Sequence, residues 1–264
     1  MRLRDVEFSY GASHAHGRVV VLRDVSLSAE DTAVTVIVGP SGCGKTTLLN
    51  LMAGILSPSA GTIISSDEAS KCVGVGYVFQ NPTLIPWRTI SANCVVGAEL
   101  RGDVNTAIRG RAARLLAAYG LLGFEKHYPS SISGGMQQRV AIIRAIVAGS
   151  KVLLLDEPFS DSDFQMRRAL QQDLSRAVDQ EALTAILVTH DLEEAVQIAD
   201  RIIVLTPKPA RVAAEIEIPI PRARRFQHRW SLDPELFPYL QQTWAALDAS
   251  CGTEDEVLGS DAKA

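Results

Sequence analysis

Short runs of apolar residues recur along the chain, and segments of helical periodicity lie between them. Continuous apolar runs bounded by glycine, proline or polar residues are typical of strands buried on both faces of a sheet. The predicted strands are 34–38, 74–79, 151–155, 184–189 and 202–205. The predicted helices are 48–56, 107–122, 140–147 and 192–199. Strands that alternate with helices predict an α/β fold with a mostly parallel sheet.

Two parts of the chain depart from this alternation. Residues 3–10, 19–22 and 25–27 are β-prone runs close together in sequence, which predicts a small N-terminal antiparallel sheet. Residues 89–128 are mainly helical and separate two predicted strands. We therefore expect an inserted helical subdomain at about 84–148.

Composition narrows the class of protein. The chain has 264 residues, 47% hydrophobic and 21% charged, as expected of a globular protein with a sizeable core. Its net charge of −4 gives no reason to expect a nucleic-acid partner. The four cysteines are scattered without a C-x-x-C pair, so neither a zinc site nor a disulfide framework is predicted. We expect neither a signal peptide nor a membrane span, because no sufficiently long apolar run occurs.

A glycine-rich stretch joins the first buried strand to the helix that follows. It reads Gly39, Pro40, Ser41, Gly42, Cys43, Gly44, Lys45, Thr46 and Thr47, and it matches the pattern G-x-x-x-x-G-K-[ST] of a phosphate-binding loop. Glycines let the backbone curl around phosphates, so that N–H groups and the helix N-terminus point at the anion. We expect Lys45 to reach the phosphates and Thr46 to offer its hydroxyl to Mg²⁺. The alternative is a glycine-rich turn before a buried helix.

A second anion-binding sequence precedes the helix at 140–147. It reads Ser133, Gly134, Gly135 and Met136. A serine at the N-cap and free N–H groups in the first turn favour a bound anion. A capped turn without a ligand is the alternative.

Polar side chains come directly after three of the predicted strands. They are Gln80, the pair Asp156 and Glu157, and His190. In open α/β sheets, ligands bind at the carboxyl ends of the strands. Gln80 and Asp156 therefore suit a Mg²⁺ site, and Glu157 suits a general base. The alternatives are a strand cap for Gln80, surface carboxylates for the acidic pair, and a helix cap for His190.

Basic and aromatic residues alternate beyond the last predicted strand. They are Arg211, Arg222, Arg224, Arg225, His228, Arg229 and Trp230. Such a patch can bind nucleic acid, but on a mildly acidic chain we interpret it as a solvated surface facing a partner or membrane headgroups.

Five elements occur in a fixed order along the chain. They are the phosphate loop at 39–47, Gln80, Ser-Gly-Gly-Met-Gln at 133–137, Leu-Leu-Leu-Asp-Glu-Pro at 153–158, and Thr-His-Asp at 189–191. In this order they resemble the ATP-binding subunit of ABC transporters over residues 1–205, which implies a P-loop NTPase core. The chain is more narrowly similar to ATPases of bacterial importers for nitrate, sulfonates and taurine. This likeness rests on Leu84-Ile85-Pro86-Trp87, on Gly-Gly-Met at 134–136, on Glu157-Pro158-Phe159, and on the tail segments 206–211 and 219–224.

The resemblance implies how ATP would be held. Tyr10 takes the place of the residue that stacks on adenine, although a tyrosine that ends a strand can also simply pack. Lys45 and the loop amides would hold the phosphates. Residues 133–136 would close on ATP held by the phosphate loop of a second copy of the chain.

The resemblance also implies the chemistry at the γ-phosphate. The Mg²⁺ ligands would be Thr46, Gln80 and Asp156. Glu157 would polarise the attacking water, and His190 would contact the γ-phosphate and hold that water in line. Such a site works mainly by positioning and charge neutralisation.

Partners and location follow from the same resemblance. The chain would form a homodimer, contact membrane permease subunits through residues 84–88, and act indirectly with a periplasmic solute-binding protein. It would lie peripherally on the cytoplasmic face of the bacterial inner membrane. The expected domains are an ABC ATPase domain at 1–205, a C-terminal extension at 206–250, and a disordered tail at 251–264.

An alternative function and a departure from the family pattern also follow from the sequence. A soluble ABC-type ATPase that remodels protein or nucleic-acid complexes without a permease is the alternative, against which the Leu84 to Trp87 loop argues. The segment after Phe159 reads Ser160-Asp161-Ser162-Asp163, whereas the family usually has Gly-Ala-Leu-Asp, so the final aspartate is kept and the leucine is lost.

Overall fold

The computed structural model describes residues 1–11, 18–64, 74–160, 162–226 and 233–252. Its strands are β1 (Arg2–Tyr10), β2 (Val19–Ser28), β3 (Val34–Val38), β4 (Ala60–Ile64), β5 (Val75–Val78), β6 (Val152–Asp156), β7 (Thr184–Val188), β8 (Arg201–Leu205) and β9 (Val212–Glu217). Its helices are α1 (Lys45–Met52), α2 (Ile90–Leu100), α3 (Thr106–Ala118), α4 (Gly134–Val147), α5 (Phe164–Glu181), α6 (Leu192–Ile198), α7 (Arg222–Arg225) and α8 (Phe237–Gly252).

The chain forms two compact units, one of residues 1–68 and 188–264, the other of residues 69–187. In the first unit, β2, β1 and β4 pair in that order as an antiparallel sheet. Strands β3, β8 and β9 are also neighbours there, with β3 and β8 parallel and β8 and β9 antiparallel. In the second unit, β5, β6 and β7 are neighbours, and β5 and β6 are parallel.

The predicted N-terminal antiparallel sheet is confirmed, with one difference in its strands. Residues 19–22 and 25–27 belong to a single strand, β2. Asp24 has a φ of +54°, and the register between β1 and β2 shifts at several positions. A left-handed residue interrupts the alternation of side chains, so the sequence pattern divides one strand into two short runs.

The polar N-caps explain where the helices begin. Thr89, Asn105, Ser133, Asp163 and Asp191 each accept a hydrogen bond from a backbone N–H in the first turn of α2, α3, α4, α5 and α6, respectively. A side-chain oxygen at this position satisfies one of the N–H groups that has no partner within the helix. These caps therefore fix the residue at which each preceding loop ends and its helix begins.

The C-terminal extension is anchored by a buried arginine. Arg225 is 1% exposed, and its guanidinium donates to the carbonyl oxygens of Ile220 (2.7 Å), Ile218 (3.2 Å) and Ala199. It also donates to Oδ1 of Asp200 at 3.0 Å. Burial lowers the pKa of Arg225, and the carboxylate of Asp200 opposes that effect. The ion pair and the carbonyls together compensate for taking the charge out of water.

Asp200 connects this arginine to the core of the first unit. Its Oδ2 accepts from the N–H of Val34 at 2.9 Å, at the start of β3, and it is paired with Arg222. Gln197 of α6 donates to the carbonyl of Arg225. One carboxylate therefore joins β3 and α7.

The interpretation of the basic tail as a solvated surface is wrong for two of its residues. Arg225 is buried and Arg222 is only partly exposed, because both bind Asp200. Arg211 and Arg224 are exposed, as expected. His228, Arg229 and Trp230 lie outside the described residues.

Replacement of Arg225 tests this anchor. Arg225→Leu leaves three carbonyls and Oδ1 of Asp200 without this donor, so we expect a loss of about 3–5 kcal/mol in the free energy of unfolding, since each buried acceptor left unpaired costs about 1–3 kcal/mol. Urea denaturation measures it, with Arg224→Leu as the matched control on the exposed neighbour. Equal stability of the two variants would show that the buried arginine does not anchor the extension.

Candidate functional site

The phosphate loop adopts a backbone that its glycines make possible. Gly42 and Gly44 have φ values of +77° and +119°, a region that residues with a Cβ rarely occupy. A Cβ on Gly44 would lie 2.7 Å from Cγ1 of Val21, and a Cβ on Gly39 would lie 3.0 Å from Sγ of Cys43. The loop thus curls tightly between a fully buried β3 and α1. This confirms the predicted arrangement of strand, loop and helix.

Lys45 lies at the first position of α1 with its side chain folded over the loop. Its Nζ donates to the carbonyl oxygens of Gly39 at 2.7 Å and Pro40 at 3.0 Å. The residue is 7% exposed. An ammonium group held at the N-terminus of a helix adds to the positive potential of the loop, which suits a phosphate anion.

The Cys43 side chain packs within the loop and adds no charge to it. Its thiol is buried, and burial raises its pKa, although Lys45 acts in the opposite direction. The thiol is therefore neutral at physiological pH, and a phosphate group meets no thiolate here.

Tyr10 and His190 lie beside the phosphate loop in the same unit. The Tyr10 hydroxyl is 3.4 Å from Oγ1 of Thr47, and the residue is 46% exposed. His190 is exposed and follows Thr189, whose N–H donates to the carbonyl of Ile37 at 3.2 Å. Because β3 enters the loop two residues after Ile37, His190 leaves its strand next to the start of the loop. Asp191 is the N-cap of α6, so His190 is not the cap.

In the second unit, Gln80 and Asp156 come from the same ends of neighbouring parallel strands. Val78 is opposite Leu155 in the register of β5 and β6. The Tyr77 hydroxyl donates to Oδ2 of Asp156 at 3.3 Å. Burial is the first cause of a raised pKa for Tyr77, followed by the charge of Asp156, so its phenol stays a hydrogen-bond donor.

Glu157 has an unusual backbone conformation. Its φ is +44°, and its carbonyl oxygen accepts from Oγ of Ser160 at 3.1 Å. Glutamate in the left-handed region costs conformational energy, which the following turn must offset. Of the altered segment, Ser160 therefore supports this turn, and Asp163 caps α5. Asp161 lies outside the described residues.

The second anion-binding sequence forms the predicted helix N-terminus. The Ser133 hydroxyl accepts from the N–H of Met136 at 3.3 Å, which confirms the N-cap. A Cβ on Gly134 would meet no atom within 4 Å, so its backbone faces open space. A Cβ on Gly135 would lie 2.4 Å from Sδ of Met166 in α5. The first glycine leaves room for a ligand, and the second permits close packing.

The described residues contain neither a cluster of metal-binding side chains nor a membrane-spanning helix. No three side chains among His, Cys, Asp and Glu in the described ranges are grouped so as to hold a metal ion. Within those ranges, no helix is long and apolar enough to cross a membrane.

Sequence reasoning missed Tyr77, Ser160 and Met166 in this site. Tyr77 belongs to an apolar strand and Met166 to an amphipathic helix, so each has the pattern of an ordinary packing residue. Ser160 follows Glu157 by three residues and belongs to a segment that departs from the family pattern. A serine near a left-handed residue is the one local signal of its role.

Comparison with known proteins identifies the family. A family model described as "ABC transporter" matches residues 22–160. The chain belongs to the ABC transporter family. The predicted family is thereby confirmed, and the chain is an ATP-hydrolysing subunit of this family.

Three relatives show how far the similarity extends. The aliphatic sulfonates import ATP-binding protein SsuB of Bacillus licheniformis is 40% identical over 208 residues, 77% of this chain and 80% of that protein. The taurine import ATP-binding protein TauB of Yersinia pestis is 41% identical over 203 residues, 75% of this chain and 78% of that protein. The nitrate import ATP-binding protein NrtC of Synechococcus elongatus is 39% identical over 237 residues, which cover 86% of this ABC ATPase and 36% of NrtC.

Solved structures confirm the fold class of this ABC ATPase. The dimeric ATP-binding cassette MJ0796 bound to ADP and Pi has a TM-score of 0.68 at 29% identity, covering 82% of this chain and 97% of that one. CbiO1 from Clostridium perfringens, part of the ABC transporter complex cbiONQ, has a TM-score of 0.72 at 25% identity, covering 82% and 87%. The predicted α/β P-loop NTPase core is therefore correct.

Proposed function

We propose that this ABC ATPase powers the import of a small anion of the nitrate, sulfonate or taurine class through a membrane permease. The observation that carries the proposal is the similarity, at 39–41% identity, to proteins named for the import of these solutes. No relative reported above is named as a remodelling ATPase, so the alternative function gains no support.

Each site residue receives a proposed role toward ATP. Tyr10 stacks on the adenine, and the amides of Gly39, Pro40, Ser41, Gly42, Cys43, Gly44, Lys45, Thr46 and Thr47 cradle the phosphates. Nζ of Lys45 needs only to turn from the carbonyls of Gly39 and Pro40 to reach an anion. Glu157 accepts the proton of the attacking water, and His190 orients that water. These contacts position charge rather than form covalent bonds.

The proposed Mg²⁺ ligands fit the ion chemically. Thr46, Gln80 and Asp156 offer hydroxyl, amide and carboxylate oxygens, which a hard cation prefers, and all three residues are at least partly exposed. Mg²⁺ in nucleotide sites usually takes its other ligands from phosphate and water. When bound, Mg²⁺ would neutralise charge on the β- and γ-phosphates.

Two copies of the chain are proposed to share each ATP. Ser133, Gly134, Gly135 and Met136 have the features of an anion site, with a capped helix and an open glycine. We infer that they bind the ATP held by the phosphate loop of the other copy. Dimerisation agrees with the dimeric cassette among the structural neighbours.

The permease is proposed to bind the loop at 84–88. Trp87 is 79% exposed and Tyr128 is 49% exposed, and both lie in the helical part of the second unit. The backbone N–H of Ile90 donates to the carbonyl of His127 at 2.8 Å. The segments that carry Trp87 and Tyr128 are therefore neighbours. Exposed aromatic side chains near one another are typical of a partner interface.

Location and domains complete the proposal. The chain would lie peripherally on the cytoplasmic face of the bacterial inner membrane, with a periplasmic binding protein acting through the permease. The ABC ATPase domain would cover 1–205, with the helical subdomain at about 84–148 and the extension at 206–250. Of the tail proposed at 251–264, residues 253–264 lie outside the described residues.

Removal of the proposed base separates ATP binding from hydrolysis. We expect Glu157→Gln to bind ATP and accumulate as a closed dimer, with turnover lowered by about 10²–10⁴, the usual contribution of a general base. Light scattering with and without ATP measures the dimer, and phosphate release measures turnover. Hydrolysis at the rate of the unaltered protein would remove Glu157 from this role.

Replacement of one exposed tryptophan tests the permease surface. We expect Trp87→Ala to abolish copurification with a coexpressed permease, because the aromatic anchors that become buried in an interface carry much of its affinity. Trp244→Ala, at a tryptophan of α8 that is 65% exposed, is the control. Equal copurification of both variants would exclude the loop as the docking site, and ATP turnover of the isolated chain should be unchanged in either.

A further inference from the structure

The loop after Gln80 is held from one side by Arg144 of α4. Nη1 of Arg144 donates to the carbonyl oxygen of Thr83 at 2.9 Å, and Nη2 donates to that of Pro82 at 3.1 Å. Nη2 also reaches Oγ1 of Thr83 at 3.4 Å. The planar fork of a guanidinium matches two successive carbonyls, which a lysine ammonium cannot do in the same way.

Thr83, which Arg144 contacts, has an unfavourable backbone conformation. Its φ is +46°, and threonine is β-branched, so this left-handed conformation is unfavourable unless the surroundings impose it. Arg144 holds both the carbonyl of Thr83 and that of the residue before it. The arginine therefore fixes a strained turn three residues beyond Gln80.

A second residue of α4 contacts the other side of Gln80. Nε2 of Gln138 donates to the carbonyl oxygen of Phe79 at 3.4 Å, and Gln138 is 3% exposed. The helix that begins at Ser133 thus holds the chain both before and after Gln80. Helix and loop are joined at several points along α4.

The remainder of the loop is held by Asn93 of α2. Its Oδ1 accepts from the N–H of Ile85 at 2.7 Å, and its Nδ2 donates to the carbonyls of Ile85, Arg88 and Thr89, each at 3.1 Å. Helix α2 packs closely on α4, since a Cβ on Gly97 would lie 2.8 Å from Cβ of Ala148. Asn93 is fully buried, so these bonds are shielded from water.

We propose that Arg144 is a positioning residue that makes the loop at 80–88 move with α4 as one body. A displacement at Ser133 on ATP binding then reaches Trp87 instead of being absorbed within the loop. This inference rests on the proposed function, because it assigns to one arginine the transmission between the ATP-closed dimer and the permease surface. Arg144 itself would touch neither ATP nor the permease.

Hydrogen exchange of the whole chain, in the Glu157→Gln background with and without Mg-ATP, tests the proposal. In that parent we expect ATP to slow exchange in both segments, 80–89 and 133–140. Adding Arg144→Lys should leave ATP protection at 133–140 and remove most of it at 80–89. Without nucleotide, we expect amides in 81–85 to exchange about threefold faster or more in the lysine variant, because local opening becomes easier.

Two further variants show whether the change in hydrogen exchange is specific to position 144. Arg114→Lys makes the same replacement at an exposed position of α3 and should change neither segment. Arg144→Gln is uncharged and too short to reach both carbonyls, so it should lose ATP protection at 80–89 at least as far as Arg144→Lys. The melting temperature of each variant separates a local effect from general destabilisation, and Arg144→Gln serves as the test if Arg144→Lys does not fold.

Two outcomes would overturn the inference, and they differ in what else they contradict. If ATP protects both segments equally in the parent and in the Arg144 variants, Arg144 does not couple them, and the proposed function stands. If ATP protects neither segment in the parent, the closure at Ser133 is itself absent, and the proposed function fails together with the inference.

Discussion

The fold around the phosphate loop depends on a tightly curled backbone, in which Gly42 and Gly44 have positive φ values. Between Gly39 and Lys45 the main chain curls so tightly that a Cβ on Gly44 would overlap Val21, and the ammonium of Lys45 lies over the carbonyls of the loop. A rigid strand before the loop and a helix after it are needed to hold this shape, because a free chain would not keep its N–H groups converging. The buried β3 and α1 supply that support.

In the proposed function, the phosphate loop binds the nucleotide, and the second anion site at residues 133–136 gives the chain a reason to act with a copy of itself. Ser133 caps α4, and Gly134 leaves the helix N-terminus open. The same helix holds the loop around Gln80 through Gln138 and Arg144. An anion at the start of α4 is therefore connected, through ordinary hydrogen bonds, to the exposed surface that carries Trp87.

The parts of the site that depend on neighbouring residues in sequence could be predicted, and those that depend on distant residues could not. The phosphate loop and the Ser133 cap have local patterns with a physical cause, and the structure has both. The burial of Arg225 could not be seen in sequence, because Asp200 is 25 residues away and five nearby basic residues suggest a solvated patch. Arg144 has the spacing of a helix residue and no sequence signal of its bonds to Pro82 and Thr83. Helix α5 was missed although it spans Phe164–Glu181, and its contact with Gly135 depends on tertiary packing.

The phosphate loop of one copy and residues 133–136 of another are proposed to form one site. Mixing two inactive variants tests this shared site most directly. Lys45→Ala damages the first half; Ser133→Asp damages the second by charge while keeping an N-cap residue. Each should be inactive alone, and an equal mixture should regain up to about a quarter of the unaltered ATPase rate, since half of randomly formed dimers are mixed and each has one intact site. Ser130→Asp, at an exposed neighbour, controls for added charge. A mixture that stays inactive, with both variants folded and exchanging partners, would contradict the shared site.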